Sequence, residues 1–419
     1  MNKRNIFNGF TIFVAIVCLL TFTLNMINGR FWLADFRVYY SAARSFFSGE
    51  QVYQISFVSG SGYYKYSPVI LFFFLPICFL SFKIASVVYF FILGVGYWYA
   101  FTVVRKLLKK YFFTWDGKYE VLAVSLSFIC ILIYFTREMH LGNINIFMLL
   151  LCCQALWCYL ESKPASGSLF LGLVLLTKPF FLLLLLPLIW RKNWKAIAWL
   201  GFVLACGGMI PFLYPGITES LILYSGWFKA ILAHDLTFPG MNSLGYIFRH
   251  GVFPALPDYA EYLIILAACG FATWFILANL KSERKEKDGD VQSEINFIFE
   301  WFLIISLLPV LFKTDWVQLL LSAPLITFMI FYLFNTKKYW LIPIMVFLLF
   351  FFGANSDDLL GKELSGKLFK MGLMGISDFL LVMLSLLMFL DFRKRKNLIH
   401  PERSQDKPKG QVINSGSGP

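Results

Sequence analysis

The chain has 419 residues, of which 59% are hydrophobic and only 15% charged. Apolar runs of about 18 or more residues recur along it, the mark of a polytopic helical membrane protein, and a lack of period-two alternation argues against a barrel. The formal net charge of +13 falls in short loops between those runs, so it reads as membrane orientation and no nucleic-acid partner is expected.

A first apolar run from about Ile6 to Ile27 follows the basic Lys3 and Arg4. It is long for a signal peptide and has no small-residue cleavage site, which predicts a retained helix starting inside. The next segment, within an outer loop of residues 29–83, holds Asp35 near its start. Phe36, Tyr39, Tyr40, Ala43 and Phe47 then recur at helical spacing before Gly49, which predicts an amphipathic interfacial helix. Ser67 to Phe82 is apolar but short and carries Pro68 and Pro76, so it reads as interfacial or re-entrant. Ile84 to Val104 crosses inward to the basic run Arg105 to Lys110.

Tyr119 to Thr136 returns outward, Arg137 to Asn143 forms a short outer turn, and Ile144 to Leu160 goes back in. Ser168 to Thr177 and Phe180 to Trp190 are too short to cross and are separated by Lys178-Pro179. With basic residues on both flanks, they predict a hairpin of half-helices with Lys178 at its tip, tolerable at that depth only beside a cavity or packed protein. Ala196 to Tyr214 goes out to a second outer loop, residues 215–260. Tyr262 to Leu280, Ile295 to Phe312, Val317 to Phe334, Tyr339 to Phe352 and Leu373 to Leu390 complete the crossings, with a third outer loop at 353–372. The expected architecture is one all-α domain over residues 1–396, with about 10–12 transmembrane or half-membrane helices and both termini inside. Residues 397–419 read as a disordered polar tail.

The sequence carries no Walker loop, nucleotide-binding glycine motif or HExxH. Its eight cysteines show no CxxC pair and no Cys/His cluster, so they read as buried thiols. Neither a metal nor another cofactor is expected. The chemistry then falls to isolated ionisable groups near the membrane face, where they are costly and functional by default. Asp35, among Trp32, Leu33, Phe36 and Tyr39, is either a general base with a pKa raised by burial or the N-cap of its helix. Lys65, Arg137, His140, Lys178, Arg249, His250 and Lys313 either hold a phosphate or snorkel to the interface. Asp315 pairs with Lys313 in their turn or has another role. Tyr63, Tyr64 and Tyr66 are candidates for stacking on a sugar or headgroup. Asn143 and Asn145 either cap the helix they precede or line a polar cavity.

These residues resemble a known family. DFRVYYSAARSFFSGEQVY followed by YKYSP is similar to the first outer loop of glycosyltransferase family 87, with its Asp-x-x-x-Tyr-x-x-Ala, Gly-x-x-x-Tyr and Tyr-x-Pro runs. HLGNINIFMLL and the Lys178-Pro179 hairpin look like the family's Gly-(Gln/Asn)-x-Asn span and Lys-Pro half-helix pair. The resemblance spans Asp35 to Phe334. It implies a GT-C-type bundle in a bacterial cytoplasmic membrane, with a site facing outside. The implied reaction passes a sugar, mannose or another hexose or pentose, from a polyprenyl-phosphate donor to a lipid or glycan acceptor with inversion. It makes Asp35 the base and Lys178 the family's hairpin lysine. Lys65, Arg137, His140 and Lys313 then contact the donor phosphate, and Tyr39, Tyr66, Asn143, Trp316 and Gln318 line the substrate. The turn at Asp315 to Gln318 departs from the family's Pro-x-Ser-Trp-x-His: Trp316 is kept, but Gln318 stands at the histidine position. A lipid-linked sugar transporter and a surface-polysaccharide polymerase or ligase are the alternatives.

Overall fold

A computed structural model describes residues 3–58, 62–113, 117–252, 257, 260–283, 289–353 and 357–399. The chain is an all-α polytopic membrane protein. In order, its helices are α1 Lys3–Ile27, α2 Ala34–Phe47, α3 Pro68–Cys78, α4 Phe82–Tyr111, α5 Gly117–Cys130, α6 Leu132–Leu141, α7 Asn145–Leu160, α8 Pro164–Thr177, α9 Leu185–Trp190, α10 Trp194–Met209, α11 Ile217–Thr237, α12 Leu244–Ile247, α13 Ala260–Glu283, α14 Gly289–Leu311, α15 Ala323–Thr336, α16 Ile342–Phe352, α17 Asp357–Lys370 and α18 Leu373–Ile399. Among the described residues, seven stretches are long and apolar enough to cross a membrane, and α5–α6 makes an eighth if its two bent arms count as one span. Residues 144–160 and 339–352, expected as full crossings, are instead among the shorter apolar helices.

Burial differs widely among spans of similar hydropathy. The spans Val291–Leu311 and Trp316–Thr336 are 94% buried, whereas Gly9–Ile27 is 17% and Trp194–Leu213 22% buried. The first pair forms the centre of the bundle. α1 and α10 turn Leu20, Leu24, Trp199 and Phe202 outward, the side a lipid tail would cover at no cost.

Breaks in the helices carry the site. Proline disfavours the helical conformation of the residue before it, so α8 stops at Thr177 and Lys178 is extended (φ −137°, ψ 97°). Its N–H still closes on Val174 O at 2.8 Å. Pro179 then opens a 3-10 turn to Leu184 that runs into α9, as Pro does at a first helical position. α5 and α6 meet at 59°, with the break at Ile131 (φ −108°, ψ 11°). The expected outer turn at Arg137–Asn143 is helical as far as Leu141.

Two expected loops are also largely helical. α11 occupies residues 217–237, although it is not apolar enough to count among the spans. α17 fills most of 353–372, broken at Gly361 (φ 75°). α18 runs to Ile399, past the expected end at Leu390. The tail from residue 400 and the side chains of residues 234–237 lie outside the described residues.

Candidate active site

A cavity of about 470 Å³ opens between α2, the residue 62–66 strap, the Lys178 break, α11 and the turn before residue 318. That is the size of a typical small-ligand pocket. Asp35, Tyr39, Lys65, Tyr66, Asn143, Lys178, Lys313 and Gln318 line it, and so do Asp315, Tyr63 and Thr177.

Asp35 stands in the first turn of α2, one residue after the helix begins. The N-cap position belongs to Leu33, in the left-handed region (φ 42°, ψ 55°), with no side-chain cap bond. Such a backbone costs a β-substituted residue roughly 1–2 kcal/mol, and it persists here because Leu33 is fully packed, 1% exposed. The N-cap alternative for Asp35 is therefore set aside. Its carboxylate instead accepts a hydrogen bond from Asn143 Nδ2 at 2.8 Å.

Gly142 makes that bond possible. Its φ of 69° is one that side chains rarely adopt, and a Cβ there would come within 2.7 Å of Leu33 Cδ2 and of Phe36 Cβ. Only a glycine lets the α6–α7 junction press against the start of α2, which sets Asn143 beside Asp35. Burial pushes the Asp35 carboxyl up to about 6, and the negative Asp315 adds to the shift; the Asn143 bond and the positive Lys65 and Lys178 oppose it. Burial likewise raises Asp315 and lowers the Lys65 ammonium, the latter against the pull of Asp35 and Asp315.

Behind the cavity wall lies an acid whose part the sequence does not disclose. Glu138 on α6 is fully buried. Its Oε1 accepts the Ile146 N–H at 2.9 Å and its Oε2 accepts Asn145 Nδ2 at 3.1 Å. The carboxylate thus satisfies the amino end of α7, where amides are unpaired and the helix dipole favours a negative charge. Asn145 Oδ1 in turn accepts a hydrogen bond from Lys178 Nζ. The Lys178 ammonium also stands 5.9 Å from the centres of the Tyr66 and Phe180 rings.

The tyrosines divide. Tyr66 and Tyr39 share a hydroxyl contact of 3.2 Å at the cavity, and Tyr63 lines it. Tyr64 is fully buried and donates to Ser67 O, a structural role. Lys313 sits 3.0 Å from Glu261, a partner on α13 that the expected turn pairing with Asp315 did not include.

Arg137, His140 and Trp316 are not among the lining residues. Arg137 stands over the Trp316 ring at 5.9 Å. Trp316 packs on Tyr134, whose hydroxyl donates to Phe352 O. His140 Nδ1 meets Asn25 Oδ1 at 3.2 Å, and its ring lies beside Trp32. These three belong to the packing of α6 against its neighbours.

The fold and the cavity together define a multi-pass membrane protein with two carboxylates and three lysines on one pocket wall. The chain belongs to glycosyltransferase family 87, whose model matches residues 64–306. That match takes in Lys65, Tyr66, Glu138, Asn143 and Lys178, and is shorter than the expected Asp35–Phe334 stretch; Asp35 and the turn at residues 313–318 fall outside it. The chain is also 28% identical over 247 residues to an α-(1→3)-arabinofuranosyltransferase of Corynebacterium glutamicum, a match covering 58% of this chain and 56% of that protein. The chain therefore aligns with a little over half the length of that relative.

Proposed function

We propose that this protein is an inverting glycosyltransferase that uses a polyprenyl-phosphate-linked sugar as donor and a lipid or glycan hydroxyl as acceptor, with Asp35 as general base. One observation carries the reading: a single cavity brings Asp35, with a pKa raised to about 6, together with Lys65, Lys178 and Lys313. A base must sit near the operating pH to take a proton efficiently, and cations must sit where charge develops on the leaving group.

In this reading the Asp35 carboxylate takes the proton of the acceptor hydroxyl. The acceptor oxygen attacks the anomeric carbon from the face opposite the phosphate. The bond from that carbon to the phosphate oxygen breaks, and polyprenyl phosphate leaves with the electron pair and one more negative charge. Lys178, Lys65 and Lys313 stabilise that charge. The donor's own bond supplies the driving energy, so no nucleotide is needed and the reading assigns no metal. Arg137 and His140, outside the cavity wall, act on this charge only from a distance, and Trp316 supports the turn bearing Asp315 and Gln318.

Family membership supports sugar transfer over transport. The relative's being an arabinofuranosyltransferase makes a pentose donor as good a candidate as mannose. The short loops read as cytoplasmic are basic, which supports a bacterial cytoplasmic-membrane protein with both termini inside and the cavity facing outside.

The test is to incubate purified protein with polyprenyl-phosphate-linked hexose and pentose donors and follow release of polyprenyl phosphate. At least one donor is expected to turn over. Asp35→Asn is expected to slow transfer by about 10²–10⁴-fold with unchanged elution and melting. Full turnover in that variant would refute the assignment of the base.

A further inference from the structure

The cavity lysine is held by a group that never touches the cavity. We infer that Glu138 is a positioning residue for the transfer reaction: it fixes the amide of Asn145 so that the Asn145 carbonyl oxygen faces Lys178, and thereby aims the Lys178 ammonium at the phosphate of the lipid-linked donor. The inference rests on the proposed contact between Lys178 and that phosphate.

The logic is one of donors and acceptors. An ammonium has three donors and no acceptor, and an ionised carboxylate only accepts. Asn145 stands between the two. Only one orientation of its amide serves both, with Nδ2 to Glu138 Oε2 at 3.1 Å and Oδ1 to Lys178 Nζ. The second Glu138 oxygen is tied to the Ile146 N–H at 2.9 Å, so the carboxylate cannot swing away. Glu138, Asn145 and Lys178 are 0%, 1% and 7% exposed. In such a setting a misdirected amide finds no water to compensate it.

Through Asn145, Glu138 also supplies the counter-charge that a buried ammonium requires. The same junction serves both halves of the reaction. Asn143 donates to Asp35, and Asn145, two residues later, receives Lys178. The Gly142–Asn145 turn therefore sets base and cation relative to each other, and Glu138 locks the cation side.

This predicts a swap. In Glu138→Gln, the Ile146 N–H draws the amide oxygen, so the introduced NH₂ faces Asn145. Asn145 must then turn its own NH₂ toward Lys178, donor against donor. Adding Asn145→Asp restores every bond: the introduced NH₂ donates to one carboxylate oxygen, Lys178 donates to the other, and the net charge returns to its original value.

The experiment measures the affinity of full-length protein for undecaprenyl phosphate, the chemistry of the leaving group, together with donor turnover and melting temperature. Lys178→Met, Glu138→Gln and the double variant Glu138→Gln/Asn145→Asp are compared with the unmodified chain. Lys178→Met is expected to weaken binding, Glu138→Gln to weaken it by about 10- to 100-fold, and the double variant to recover to within about threefold of the original. Unchanged affinity in Glu138→Gln, while Lys178→Met binds poorly, would overturn the positioning role alone. A double variant that folds yet binds as weakly as Lys178→Met would overturn it too, and this arm holds even where Glu138→Gln itself fails to fold. Normal binding in Lys178→Met would remove the phosphate contact itself and with it this inference.

Discussion

Asp35 must be ionised to accept a proton, and its neighbours decide at what pH that happens. Burial and the negative Asp315 raise its pKa to about 6; Lys65, Lys178 and the Asn143 bond pull it back. A raised carboxyl pKa means the base is protonated and inactive at low pH. The rate should therefore climb as pH rises through about 6 and level off above it. Asp315→Asn removes a like charge, makes ionisation easier, and should move that rise to lower pH. Lys65→Met removes an opposite charge and should move it upward. Both shifts are read from kcat/KM against pH, which reports groups of the free enzyme. A profile unmoved in both variants would mean that another group carries the limb. Asp315 shows where sequence reasoning stops at this scale. Beside Lys313 in a four-residue turn it reads as half of a local pair, but its cavity exposure depends on α2 and on residues 62–66, far away in the chain.

Among the elements, the α6–α7 junction bears most of the geometry, and Gly142 is its pivot. Gly142→Ala would put a Cβ on a left-handed backbone and within 2.7 Å of Leu33 and Phe36. The backbone alone costs roughly 1–2 kcal/mol, and the overlap can be relieved only by backing α2 away from the junction. Melting should fall, and transfer should drop further than melting accounts for, because the Asn143–Asp35 bond lengthens with that movement. Equal losses of folded protein and of activity would show that the junction contributes stability alone. The elements best read from the sequence are those with a local cause. Pro179 dictates the extended Lys178 by sterics between adjacent residues, so the half-helix hairpin is legible. The amphipathic spacing after Asp35 is legible for the same reason. The bend at Ile131 has no proline or glycine beside it, and α11 has too little apolar excess to separate from a loop. The placing of Glu138 arises from contacts with residues seven and eight positions later and, through Asn145, a link to a lysine 40 residues on, which no local pattern encodes. Hydropathy also failed to rank the spans by depth. Lipid and protein neighbours are equally apolar, so central and peripheral helices have the same composition.

At the scale of the whole molecule, the hairpin is fastened at both ends by charge. Its tip ends on Glu138 through Asn145. Its return arm ends on Arg191, which lies 3.0 Å from both Glu283 on α13 and Glu300 on α14. Around that centre, Ser293 accepts from Arg191 at 2.8 Å, Asn296 donates to Glu283 at 2.7 Å, and Asn279 donates to Glu300 at 2.9 Å. Arg393 on α18 closes the set through Asn279 at 2.8 Å. The ends of α13 and α14 thus meet on the Arg191 guanidinium, whose planar fork can serve two carboxylates at once, and α18 joins them through Asn279. Arg191 is 12% exposed and Glu300 0%, so removing the cation leaves two acids facing each other away from water. Arg191→Ala should destabilise the fold by about 3–5 kcal/mol, the usual cost of stranding a buried charge. Replacing the whole set with neutral groups of similar size is a different matter, because the desolvation cost leaves together with the attraction. Arg191→Met combined with Glu283→Gln and Glu300→Gln should therefore melt much closer to the unmodified protein than Arg191→Ala does. Thermal unfolding in detergent decides between the two accounts. If the triple variant is as unstable as the single one, the network stabilises by its net attraction; if it recovers, the ions serve mainly to hold the hairpin in one register, with Lys178 delivered to the cavity at the far end.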